Sequence, residues 1–472
     1  MLRRGSAIRG LLELIACTAI SVSLLKGFLV EGFLISTGSM APHLLGYHKH
    51  IVCPECGFGF ARGTDIDDPS NQPRVATCIN CGQTEIDVAE VPRNEGDQLL
   101  VHKLPWVFSE IHRWEPMVFR RPDRATTAFV KRVVGLPGET VQLVDGNIHA
   151  NGRICRKTLA QQRGRAGPGY DDRCRPRAGT SRWTAGPGWA DHHPAFRFAA
   201  MVTRTSWLTY RHQDIEQPGI VRDRYAYNPR EPRSRTRAVN ELLVTFEVIS
   251  SGTPPRLTIE LDTGLHRVSW VRDPVAGQQW LVVNDRRMKS TRLVPVEPGR
   301  RRTMEISTID RTLRAAVDGR LVLPPLALSH SSRRRKSGGG ELLKLGAAAG
   351  DFEIHNVRID RDVFYRDAVG QHATTSPWKL GSDEFFMLGD NSPVSLDSRS
   401  WTRPAVPRHL VIGRPLLVHL PSQQWSIESG EAARHIRIPD LRRIRYIRCC
   451  LLYTSDAADD TPCVDLGGRR II

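Results

Sequence analysis

Hydrophobic and polar positions fall into distinct regimes along the chain. Between Gly10 and Val30 the residues are almost continuously apolar, broken only by Glu13 and Lys26 near the two ends. As a helix this stretch is about 31 Å long, matching a hydrocarbon core of about 30 Å. Long side chains near its ends can reach the interface. Arg3, Arg4 and Arg9 precede it and Lys26 is the only cation that follows for many residues, so the positive-inside rule leaves the N-terminus in the cytoplasm and exports the rest. No small-x-small cleavage site ends the apolar run, which argues against a removable leader. The lipobox-like Leu14-Ile15-Ala16-Cys17 has too short an apolar region before it. The expectation is a single-pass anchor in the inner (plasma) membrane.

Beyond the anchor the pattern turns to short extended runs. Residues 96–101, 129–143 and 148–154 read as strands, with a Gly-Leu-Pro-Gly turn at 135–138 and an Asp145-Gly146 hairpin turn. Residues 155–360 open with an Arg/Gly/Pro-rich stretch, then alternate at 242–250, 256–261, 266–270, 279–284, 303–309, 313–317 and 352–359. No long helical periodicity competes, and evenly spaced strands predict a β-sandwich. The fold class expected is mainly β: a β core on one N-terminal helix, with inserted modules.

Cysteine spacing marks one of those modules. Cys53-Pro54-Glu55-Cys56 and Cys78-Ile79-Asn80-Cys81 are matched Cys-x-x-Cys knuckles, each followed by a glycine, Gly57 and Gly82. Four thiolates paired in this way suit a closed tetrahedral zinc site, structural because no position remains open for water. Disulfides are the alternative in an exported protein. Pairing of Cys155 with Cys174 across a polar loop is left open.

The net charge of +17 and pI near 9.8 would suit nucleic acid, but the excess is spread over the chain. Its densest run, 333–336, lies in a Ser/Gly-rich linker and reads as a solvated loop. A nucleic-acid partner is not expected; attraction to an anionic membrane surface is the secondary reading of the charge.

Three blocks carry the chemistry. Thr37-Gly38-Ser39-Met40-Ala41-Pro42 begins where the apolar stretch ends; Lys131-Arg132-Val133-Val134-Gly135-Leu136-Pro137-Gly138-Glu139 follows; Gly389-Asp390-Asn391 leads into Ser395, Asp397, Ser398 and Arg399. Lys131 sits among Phe129, Val130, Val133 and Val134, a setting that disfavours the ammonium and lowers its pKa. A neutral lysine can take a serine proton and return it to a leaving amine. Together the blocks resemble the bacterial type I signal peptidase family of serine–lysine peptidases, in forms carrying zinc-ribbon and jelly-roll insertions.

That resemblance implies an endopeptidase removing signal peptides from exported preproteins through an acyl-enzyme on Ser39. Lys131 is then the base, and Thr37 and Ser39 form the oxyanion hole. Ser395 orients the lysine, and Asp397 and Arg399 form a supporting ion pair with Arg132 nearby. Ser392-Pro393-Val394 departs from the Arg-Asp-Asn of some relatives. Implied partners are preproteins and the lipid bilayer, with secretion machinery left open. Apart from structural zinc no cofactor is implied.

The organisation expected is a cytoplasmic tip and anchor at 1–35, with a peptidase core split into 36–49, 94–154 and 362–425. A zinc ribbon occupies 50–93, a jelly-roll-like sandwich with polar linkers 155–361, and an extension 426–449. Residues 450–472 resemble a translated transposase adapter from sequencing libraries, and natural coding is expected to stop near Arg448. The competing reading is a membrane-anchored zinc-ribbon and lectin-like binding protein without peptidase activity, which leaves the three blocks without a purpose.

Overall fold

A computed structural model describes residues 2–447, apart from 66–71, 104–109, 178–180, 215–217, 253–254, 294–296, 331–339, 369, 421 and 430–431. The basic run at 333–336 and the adapter-like tail at 450–472 therefore lie outside the described residues. The protein is mainly β.

The helix runs Leu2–Leu24 and is followed by one wider turn at Leu25–Leu29. It was expected to continue to Val30. Instead Val30–Leu34 is a strand whose residues pair with Gln98–His102, so sheet hydrogen bonding takes these residues from the helix. Among the described residues no helix is long and apolar enough to cross a membrane. Leu11, Leu12, Leu14, Ile15 and Ile20 nevertheless each leave more than half their surface uncovered.

An eight-stranded sheet gathers the core from distant parts of the chain. Its order is Val30–Leu34, Gln98–His102, Val411–Val418, Pro116–Arg121, Arg124–Gly135, Glu384–Leu388, Ala405–Pro407, with Arg445–Tyr446 added beside Val411–Val418. The last strand ties part of the expected C-terminal extension into the core, where Arg443 and Arg445 both reach Asp97. A smaller sheet joins Arg153–Ile154, Asn147–Ala150, Thr140–Val144 and Trp378–Lys379, with the Asp145-Gly146 turn where expected. Trp114, Val134, Leu143, Phe386 and Leu388 pack together between the two sheets.

The long insert forms one fourteen-stranded sheet rather than two separate ones. The cause is Glu341–Arg361, a strand of 21 residues. Its first half pairs with Leu257–Asp262 and its second with Leu242–Ser250, while Ala195–Arg211 pairs along most of its length. Both halves contribute to one apolar cluster that includes Phe196, Phe246, Trp270, Leu345 and Phe352. Ala195–Arg211 has no counterpart in the sequence reading, because its polar residues and the register shift between Met201 and Ser206 break the alternation.

The cysteine-bearing module is a hairpin of His48–Val52 and Gly59–Gly63, closed by Arg93–Asn94, with a second small pair of Val75–Ala76 and Ile86–Asp87. The insert holds it. Asn80 Nδ2 donates to Cys174 O at 2.6 Å, and Arg182 donates to Asn80 O and Cys81 O, each at 2.7 Å. Cys155 and Cys174 are both free; Cys174 packs with the knuckles and Cys155 with the core cluster around Trp114.

Candidate active site

Ser39 lies in a single 3-10 turn, Gly38–Met40, between the first strand and the cysteine module. Met40 and Leu44 enter the cluster formed with Leu99, Val101 and Val118, which pins the turn to the eight-stranded sheet. Its far side is fixed by Asp97, whose carboxylate accepts from Leu45 N at 3.0 Å and from Arg443 Nη2 at 2.5 Å.

Lys131 lies on the strand Arg124–Gly135, opposite Met117 on one neighbouring strand. Alternation along the strand puts Lys131 on the same side as Phe129 and Val133, which pack with Met117, Phe119 and Met387. The side chain ends against the serine: Lys131 Nζ donates to Ser39 Oγ. The lysine is 2% exposed and the serine 9%. Burial pulls the Lys131 pKa down to about 8 against the opposing pull of Asp397 and Asp390. Thr37 Oγ1 donates to Ser39 Oγ at 3.5 Å.

The Gly389–Arg399 loop closes the site from the opposite strand end. Asn391 N donates to Ser39 O at 3.0 Å and Asn391 Nδ2 to Gly38 O at 2.9 Å. The approach is close enough to require Gly389, since a Cβ there would stand 2.5 Å from Ser39 O. Two bidentate ion pairs support the loop. Arg399 Nε and Nη2 each donate to Asp397 at 2.8 Å, and Asp397 Oδ2 also accepts from Gly389 N at 3.1 Å. Arg132 was expected beside this pair but belongs to a second one: its Nε donates to Asp390 Oδ1 at 2.7 Å, its Nη2 to Asp390 Oδ2. His43 Nδ1 lies 3.0 Å from that same Oδ2. Burial works against the Asp390 charge, but Arg132 and His43 hold its carboxyl well below the usual range.

Ser395 differs from its expected role. Its Oγ is buried beside Gly389 and helps to hold the Asp397 charge, while the Lys131 amine is directed at Ser39. Ser392, the departure from the family pattern, is well used: its Oγ accepts from Arg399 Nη1 and Arg366 N, both at 2.8 Å.

Sequence reasoning assigned no role to Asp390, Asn391 or His43. The first two stood in a quoted block, where an acid beside an amide and opposite Arg132 was available as a signal. Tyr225 and Asn228 were missed altogether. Tyr225 Oη donates to Asp390 O at 2.8 Å and Asn228 bonds Asn391, contacts from within the long insert that no local motif announces.

The four knuckle cysteines converge on one another. Their sulfurs all lie within 4.8 Å of one another, with Cys53–Cys81 at 3.5 Å and Cys56–Cys78 at 3.7 Å. A tetrahedron with Zn–S arms of about 2.3 Å has S···S edges of about 3.8 Å. The donor set and its spacing therefore fit such an ion.

Residues 87–188 and 341–420 match the family described as "Signal peptidase, peptidase S26". Lys131 and the 389–399 block fall inside these segments, and Ser39 lies ahead of them. The chain is 42% identical over 59 residues to Signal peptidase I V of Bacillus subtilis, covering 12% of this chain and 34% of that protein. It is 38% identical over 72 residues to Signal peptidase I of Leptolyngbya laminosa, covering 14% and 36%. With the Probable signal peptidase I-2 of Synechocystis sp. it shares 33% over 63 residues, covering 12% and 29%. The chain thus spans about a third of the length of these curated relatives. Among solved structures, a carbohydrate-binding module from Bacillus subtilis overlaps 38% of this chain and 96% of its own at a TM-score of 0.25 and 12% identity. An overlap that slight identifies neither a shared fold nor a ligand.

Proposed function

We propose that this chain, whose split core is that of a signal peptidase of the peptidase S26 family, is a membrane-bound endopeptidase that removes signal peptides from exported preproteins. The observation that carries the reading is the contact of a buried lysine amine with the hydroxyl of Ser39. A lysine with a pKa near 8 is partly neutral under ordinary conditions. Neutral Lys131 removes the Ser39 proton as Oγ attacks the scissile carbonyl, then delivers that proton to the departing amine. Water, deprotonated by the same amine, hydrolyses the acyl-enzyme and frees Ser39. Negative charge developing on the carbonyl oxygen is met by the Ser39 N–H and the Thr37 hydroxyl. The Asp397–Arg399 and Arg132–Asp390 pairs hold the wall carrying this geometry, and Ser395 beside Gly389 completes it.

The N-terminal helix serves as the membrane anchor. What supports this is its row of uncovered apolar side chains, and the pairing of Glu13 with Arg9 at 2.8 Å, which offsets the one acid in the run. The N-terminus is cytoplasmic and the catalytic region faces outward, where signal peptides emerge. Cys53, Cys56, Cys78 and Cys81 hold a structural zinc, which when bound supplies folding energy to the module and no nucleophile. The 155–361 insert is one continuous sheet folded over a single apolar cluster and packed on the core, and no glycan role is assigned to it.

Incubating the detergent-solubilised protein with a preprotein tests the reading. Cleavage after small residues, abolished by Ser39→Ala in a variant of unchanged fold, is the expected result. Equal processing by wild type and Ser39→Ala rejects it.

A further inference from the structure

The insert does more than decorate the core, because its 223–231 segment lies across the turn that carries Ser39. Asn391 offers two N–H groups and one carbonyl. Its Nδ2 donates to Gly38 O at 2.9 Å and to Asn228 Oδ1 at 2.7 Å, and its Oδ1 accepts from Asn228 Nδ2 at 2.8 Å. All three groups are used, in a position with no exposed surface. Both ends of the segment are tied down: Arg366 Nε donates to Asp223 and Arg366 Nη2 to Glu231, each at 2.6 Å, while Arg366 N donates to Ser392 Oγ. Tyr225 fixes the neighbouring Asp390 carbonyl, and the Tyr227 ring packs so closely on Gly38 that a Cβ there would lie 1.9 Å from it.

We infer that Asn228 is a positioning residue for Ser39, acting through Asn391, an inference that rests on the peptidase reading above. Without the Asn228 amide, the Asn391 carbonyl would be buried with no donor, a costly state. Asn391 would turn to recover a partner and release Gly38 O. The Ser39 backbone would then be held by the Asn391 N–H alone, and Oγ would sample positions away from the Lys131 amine. Small errors of position at a nucleophile reduce turnover steeply. The side chain of Asn228 bonds Asn391 and not Lys131, so its loss acts on geometry rather than on the base.

The test uses the full-length, detergent-solubilised protein with Asn228→Leu and with Asn228→Asp, which is nearly isosteric but replaces the amide donor with a carboxylate oxygen. Both should lower kcat on a preprotein at least about tenfold with KM within about twofold. The rising limb of the pH profile should stay where wild type has it. Hydrogen exchange should speed up at the amides of 38–41 and 391, and remain unchanged elsewhere in the core. Wild-type kcat with wild-type exchange in Asn228→Asp overturns the inference, as does a loss that merely follows a general fall in thermal stability. If wild type and Ser39→Ala prove equally inactive, the peptidase reading fails, and the exchange result alone then decides whether Asn228 braces the turn.

Discussion

Arg132 is matched to Asp390 and Arg399 to Asp397, each through two hydrogen bonds, so neither carboxylate relies on Lys131 as its counter-charge. This self-sufficiency lets burial dominate at the lysine and keep its pKa near 8 despite two acids close by. Activity should therefore rise with pH through about 8, as the amine loses its proton. Lys131→Arg should abolish cleavage in a folded protein, because a guanidinium does not deprotonate in this range; near-wild-type turnover by that variant would exclude the Ser/Lys chemistry. Stability gives an independent check. The folded-state pKa lies below the ordinary 10.5, so the charged form is disfavoured by folding at neutral pH, and this penalty disappears as pH rises from about 8 towards 10.5. A shift of that size corresponds to about 3 kcal/mol. Lys131→Met should accordingly melt several degrees higher than wild type at pH 7, with the difference narrowing towards pH 10. A lower melting temperature at pH 7 would mean that the lysine is held charged.

At the scale of elements, the sequence was most informative where alternation was unbroken and turn residues were explicit. The strands at Leu242–Ser250, Leu257–Asp262, Arg267–Asp273 and Thr312–Val317 lie within a few residues of their expected places. The helix was expected to reach Val30, but it widens at Leu25–Leu29 and Val30 opens a strand whose pairing with Gln98–His102 is a non-local contact. The Asp397–Arg399 pair was legible as a local motif, whereas Arg132, expected only to lie nearby, meets Asp390 through strand register. The knuckles were fully legible, since each Cys-x-x-Cys-Gly turn is a local object, with Gly57 at φ 73° and Gly82 at φ 82°. They also carry a prediction of their own. Purified protein should contain about one zinc per chain, and Cys53→Ser with Cys56→Ser should lose it, as measured by metal analysis. Retention of metal by the double variant would place it elsewhere. Because Arg182 and Asn80 tie the second knuckle to the insert, loss of metal should loosen residues 171–177 and 181–182 as well as the module itself, a change visible by hydrogen exchange.

The molecule as a whole is a core interrupted twice, whose interruptions rest against each other and against the Ser39 turn. The two interruptions were legible in the sequence, but their contacts with the Ser39 turn and with each other were not: Tyr225 and Asn228 are more than 160 residues from the loop they hold. The arrangement also sets a requirement on topology. If the apolar helix lies in the bilayer, then Ser39, only a short strand beyond it, stands close to the membrane surface, and every module must share one side with it. Arg3, Arg4 and Arg9, which lie in the helix ahead of its apolar run, would by the positive-inside rule put that side outside. Ser251 is exposed just beyond the strand Leu242–Ser250 of the insert, so Ser251→Cys offers an accessible reporter. In intact cells stripped of any outer barrier, a membrane-impermeant maleimide should label this variant well above the parent protein. Labelling that appears only after lysis would put the insert, and with it the Ser39–Lys131 pair, on the cytoplasmic side, where no signal peptide emerges to be cut.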